Sequence, residues 1–134
     1  MEAQRAPSLS RLTHKRQFAR VLSRPPVAQS AHFAVHLVAT SAPHFHPPQG
    51  LWAGVVLPKR WAKRAVTRNA LRRQIYTTLE QHVTTDRFDL AVVVRLRRSF
   101  DPKRFISAWS EPLRLSVRDE LLPLVAQVMA QKAA

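Results

Sequence analysis

Residues 59–83 read KRWAKRAVTRNALRRQIYTTLEQHV, a basic and then apolar run with helical spacing. Leu71, Ile75 and Leu79 recur at i, i+4 and i+8, which is one apolar stripe of a helix. Arg64, Arg68 and Arg72 have the same spacing. At about 100° per residue the arginine row lies only about 20° from the apolar row. It is displaced toward the N-terminus, so the stripe is basic in its first turns and apolar in its last. Such a helix is anchored by its C-terminal half. Its N-terminal half projects positive charge, and the helix dipole adds to the same field. Seven of the fifteen residues from Lys59 to Arg73 are basic, with Trp61 and Asn69 between them.

The flanking segments read as strands. Leu51 to Leu57 is apolar and stops at Pro58. Residues 88–96, FDLAVVVRL, are continuous enough from Leu90 to Val94 to be buried on both faces. Residues 31–39 alternate, with Phe33, Val35, Leu37 and Ala39 on one face and His32, Ala34, His36 and Val38 on the other. A short helix is expected over 13–23, with Thr13 placed to cap it and Pro25-Pro26 ending it. Residues 41–50, SAPHFHPPQG, are a proline-rich connection. Asp101-Pro102 signals a helix start, and Phe105, Ile106, Ala108, Trp109, Leu113 and Val117 give an apolar face over 102–118. Pro112 is expected to kink or divide that helix. From Asp119 the tail reads as helical, interrupted at Pro123. The order α-β-β-α-β-α defines an α+β fold, an α/β sandwich around a small central sheet.

Composition narrows the function. The 134 residues suit one domain, and 46% hydrophobic residues supply its core. The absence of cysteine removes disulfides, thiol nucleophiles and cysteine-based zinc sites. No apolar run approaches the roughly 18 residues of a membrane span, and MEAQRAPSLSRL lacks the apolar centre of a signal peptide. A cytoplasmic protein with no membrane partner is expected. The net charge is +14, and residues 1–79 hold 13 Lys or Arg against one carboxylate, Glu2. That asymmetry calls for an anionic partner, with nucleic acid foremost. Most of the cations are arginine, whose planar fork pairs with phosphate and stacks on bases.

Catalytic groups are poorly placed. A protein nuclease needs clustered carboxylates for metal or a histidine pair for acid–base work. Asp86 and Asp89 flank a loop, Asp119-Glu120 lies in the C-terminal segment, and none is near the basic stretch. These read as solvated or capping residues, and His44 and His46 as an exposed pair. Two glycines in the whole chain leave no phosphate-cradling loop. No catalytic residue and no metal or cofactor held by the protein is predicted. Flat side chains beside a basic helix favour RNA, because unpaired bases stack on them. Phe18 and Phe33 are candidates for that role, with burial in the core as the other reading of each.

The segment Lys63-Arg64-Ala65-Val66-Thr67-Arg68-Asn69-Ala70-Leu71-Arg72-Arg73 resembles the signature of the bacterial ribonuclease P protein subunit. Three further blocks agree in order and spacing: Leu12 to Val21, Gly54 to Arg60, and Phe88 to Arg95. The resemblance covers roughly residues 11–118. It differs at Tyr76 and Thr77, where the family usually has Arg and often Glu, and at Leu22 and His36, where aromatic residues are common. It divides the chain into a ribonuclease P protein-like domain over 1–118 and a C-terminal helical extension over 119–134.

The resemblance implies a basic helix in an unusual left-handed crossover between parallel strands, against the usual right-handed rule. It implies participation in removing the 5′ leader from precursor tRNA, with the chemistry carried by an RNA subunit and its magnesium. The expected partners are that RNA, at one protein per RNA, and precursor tRNA. The implied RNA-binding residues are Lys59, Arg60, Lys63, Arg64, Arg68, Asn69, Arg72 and Arg73. The leader would lie against Phe18, Leu22 and His36. A structural RNA-binding protein, such as a small ribosomal protein, has the same charge but does not account for the four ordered blocks.

Overall fold

The computed structural model describes residues 9–40, 44–46, 50–82, 89–101 and 107–133. Its elements in chain order are β1 (Leu9–Arg11), α1 (Lys15–Leu22), β2 (Ala28–Gln29), β3 (Phe33–Ala39), β4 (Leu51–Val56), α2 (Ala65–Glu80), β5 (Leu90–Leu96) and α3 (Glu111–Ala133). The fold is α+β, with one five-stranded sheet ordered β1-β4-β5-β3-β2. β1, β4 and β5 run parallel, while β3 is antiparallel to β5 and to β2. The six expected elements are present, with two short strands added at the sheet edges.

Alternation along the strands separates two apolar layers. Phe33, Val35 and Leu37 of β3, Leu51 and Ala53 of β4, and Val92, Val94 and Leu96 of β5 pack beneath α2 and α3. Leu71, Ile75 and Leu79 of α2 close this layer, as their spacing requires. On the other face Val38, Trp52, Ala91 and Val93 meet Val21 of α1, together with Phe45 from the proline-rich connection. Phe33 is therefore core. His44 and His46 are exposed on either side of the buried Phe45.

Two helix starts differ from expectation. Position 14, not Thr13, is the N-cap of α1. Gln17 reaches back so that its Oε1 accepts the Thr13 and His14 backbone N–H groups at 2.9 and 3.1 Å. Of the helix expected over 102–118, residues 102–106 lie outside the described residues, residues 107–109 form bends, and the helix begins at Glu111. Pro112 thus lies in the first turn, where the N–H it lacks would have no intrahelical acceptor. It neither kinks nor divides α3.

Pro123 does not interrupt the tail. It is exposed, as is Asp119, whose carbonyl loses an amide donor to it, so water can take the missing bond. The boundary drawn between 118 and 119 falls inside this one helix. Leu121, Leu124, Val125, Val128 and Met129 from beyond it are buried in the larger core layer. Glu120 also ties α3 to the sheet. Its carboxylate accepts the His32 backbone N–H at 2.7 Å, the Ser30 hydroxyl, and a 2.7 Å contact from His32 Nδ1.

Candidate nucleic-acid interface

α2 begins after a tight loop, with Trp61 N–H and Ala62 N–H both donating to the Pro58 carbonyl. Arg64 is the N-cap and offers no side-chain cap, and no acidic residue lies in the first turn. The positive helix end is therefore not neutralised from within the helix. Lys59, Arg60, Lys63, Arg64, Asn69, Arg72 and Arg73 are all exposed. Among the described residues none of these cations pairs with a carboxylate; the ion pairs are His32 with Glu120 and Arg114 with Glu111. The Arg60 guanidinium lies 5.1 Å from the Trp61 ring centroid. Arg72 Nη1 donates to Asn69 Oδ1 at 3.3 Å, one turn back.

Arg68 behaves differently from its row. It is half-buried, and its Nη1 donates to the Ala62 and Lys63 carbonyls at 2.9 and 2.8 Å. It latches the helix to the loop that carries Lys59, Arg60 and Lys63. Equal spacing with Arg64 and Arg72 gave no sign of this, because the loop that folds over it lies outside the helical repeat.

Sequence reasoning also passed over Arg11. Its guanidinium lies 4.1 Å from the Tyr76 ring centroid, so the edge strand β1 brings a further cation to the middle of α2. Tyr76 is only 7% exposed. Burial pushes its phenol above the usual range, and the charges of Arg11 and Arg72 oppose that shift.

The opposite face of the sheet carries the other candidate set. Phe18 and Leu22 of α1 and Val56 of β4 are half-buried on the smaller core layer. The Phe18 ring lies over Gly54, where a Cβ would stand 2.5 Å from Phe18 Cε1. Gly54 thus lets the ring approach the strand backbone. His36 is 5% exposed and does not offer its ring as a stacking platform. Its Nδ1 lies 2.9 Å from the Arg24 carbonyl, and Arg95 Nε donates to its Nε2 at 3.4 Å. That pattern requires the Nδ1–H tautomer. The alternation that turned His36 away from Phe33 is as expected, but the residues following α1 cover it. His36 positions Arg95, a half-buried cation on this face that sequence reasoning had not singled out.

Among the described residues no group of three or more His, Cys, Asp or Glu side chains is arranged to hold a metal ion. Glu120 and Glu111 are engaged as above, and Asp89 Oδ1 accepts the Gly50 N–H at 3.0 Å. These carboxylates cap and brace the fold. Asp86 lies outside the described residues. No described helix is long and apolar enough to cross a membrane.

A sandwich of this topology, with a basic helix on one face and an aromatic-bearing helix on the other, defines a class of small basic α+β proteins. Residues 6–116 match the family model for ribonuclease P. The ribonuclease P protein component of Paraburkholderia xenovorans (strain LB400) is 33% identical over 136 aligned positions, covering 93% of this chain and 85% of that one. That of Ralstonia pickettii (strain 12J) is 40% identical over 68 positions, covering 51% and 44%. The fold is similar to that of the Staphylococcus aureus RNase P protein, with a TM-score of 0.61 at 16% identity, covering 88% of this chain and 94% of that one. It is also similar to the Thermotoga maritima RNase P protein, with a TM-score of 0.59 at 19% identity, covering 88% and 96%. The chain belongs to the ribonuclease P protein family, and so to the machinery that processes tRNA 5′ ends.

Proposed function

We propose that the protein binds ribonuclease P RNA through the N-terminal half of α2 and the loop before it. It places the single-stranded leader of precursor tRNA against the α1 face. The observation that carries this reading is the set of exposed cations Lys59, Arg60, Lys63, Arg64, Arg72 and Arg73, left without carboxylate partners among the described residues. Phosphates are the partner such a row fits, and each neutralised phosphate adds to the salt dependence of binding. Arg72, Arg73, Lys63 and Arg64 make the contacts, Asn69 orients Arg72, and Arg68 holds the loop. On the other face Phe18 and Leu22 offer the flat and apolar surface that unpaired bases stack on, with Arg95 supplying charge for the backbone.

In this division of labour the protein contributes binding, and the RNA subunit with its magnesium contributes the cleavage chemistry. One protein serves each RNA, in the cytoplasm. The test is cleavage of precursor tRNA at physiological magnesium. Protein alone gives no cleavage, and protein with ribonuclease P RNA cleaves at the mature 5′ end faster than RNA alone. Site-correct cleavage by RNA-free protein contradicts the reading.

A further inference from the structure

Beside the basic row lies a recess of about 380 Å³, formed by the loop before α2, the segment after β5 and the segment entering α3. Its lining is mostly apolar, with buried Leu71 and Leu113, half-buried Trp61, and Phe100, whose ring is stacked on His32 at 3.8 Å. Its rim is cationic, with exposed Arg60, Lys63 and Arg64. The volume is near the low end of the roughly 300–1,000 Å³ seen for small-molecule sites, too small for a helix or a folded segment. A mostly apolar slot with an indole at its side and three cations at its edge fits a flat, weakly polar ring carried on a polyanion. Arg60 is held at the Trp61 ring, so a cation for a flanking phosphate is already at the aromatic wall.

We infer that this recess takes one unpaired nucleobase of ribonuclease P RNA, its ring against Trp61 and its flanking phosphates on Arg60, Lys63 and Arg64. The inference rests on the reading that α2 faces that RNA. The recess opens on the α2 side of the sheet, whereas the leader is assigned to the α1 side. The recess adds a stacking contact to a surface otherwise built from charge, and stacking is indifferent to salt in a way that phosphate contacts are not.

Equilibrium binding of ribonuclease P RNA to the full chain, measured over a series of salt concentrations, tests it. Trp61→Ala lowers affinity about tenfold at every salt with the log–log slope unchanged, because a base loses its stack and no phosphate contact is lost. Trp61→Phe restores most of that affinity. Trp61 also packs on the core, so a second variant is needed that removes no wall. Ser107→Trp fills the recess from its exposed rim and produces a comparable loss with an unchanged melting temperature. If Trp61→Ala and Ser107→Trp both bind as the parent protein does while Arg72→Ala with Arg73→Ala weakens binding, the recess is empty and the α2 reading stands. If the arginine variant also binds as the parent does, the α2 reading fails and the recess proposal fails with it.

Discussion

The Arg11 guanidinium stacks on the Tyr76 ring, 4.1 Å from its centroid, and so fastens edge strand β1 to the middle of α2. Tyr76 is the sole tyrosine of the chain, so its ionisation can be followed without ambiguity. Burial raises its phenol above the usual value near 10, with Arg11 and Arg72 pulling the other way.

Replacing Arg11 by Met keeps the ring covered, removes one opposing charge and raises the Tyr76 pKa further. An ultraviolet titration of phenolate absorbance reads this directly, and a downward shift contradicts it. The folded protein holds this proton more tightly than the unfolded chain does. The corresponding stability is complete below the unfolded value near 10 and is lost as pH rises from there through the folded value.

Arg68 separates from Arg72 and Arg73 by what its loss does. Arg68→Ala removes two hydrogen bonds to carbonyls from a charged donor and costs about 1–3 kcal/mol in chemical denaturation. Arg72→Ala or Arg73→Ala, both exposed, changes stability by less than about 0.5 kcal/mol. Equal stability for all three contradicts the latch.

Gly54→Ala pushes the Phe18 ring off the sheet, since the added Cβ would lie 2.5 Å from Phe18 Cε1 and 2.9 Å from Leu12 Cδ1. Overpacking of this kind costs about 1–3 kcal/mol. The holoenzyme then loses affinity for leader-bearing precursor tRNA while binding mature tRNA as before. Equal loss for both substrates shows that the α1 face does not read the leader.

Truncation after Arg118 unfolds the protein. It removes five buried apolar side chains, Leu121, Leu124, Val125, Val128 and Met129, from the larger core layer. At about 1.5–3 kcal/mol each, their burial is worth roughly 10 kcal/mol, comparable to the whole stability of a domain. A cooperative thermal transition in the truncated chain refutes this.

The central elements were legible because their periodicity is long. Seven alternating residues in β3 and three apolar positions four apart in α2 leave little freedom in which residues share a face. β1 and β2 span three and two residues, too short to carry a period, and exist only because longer strands offer them free edges. Pro112 and Pro123 misled because proline's cost depends on position: the first needs no amide, and the second orphans the carbonyl of Asp119, an exposed residue. Within the site, spacing located the basic face but could not distinguish Arg68 from Arg72, nor show that the chain after α1 closes over His36. Arg11 was invisible for the same reason. Its role arises from a strand pairing between β1 and β4, across forty residues of sequence.

The salt dependence of ribonuclease P RNA binding by the Arg72→Ala, Arg73→Ala double variant reports whether α2 carries the RNA. Both side chains are exposed, so the variant keeps its fold. Loss of two phosphate contacts lowers the magnitude of the log–log slope by about 1.5–2 and weakens binding most at low salt. A double variant with the parent's slope and affinity would show that α2 does not carry the RNA.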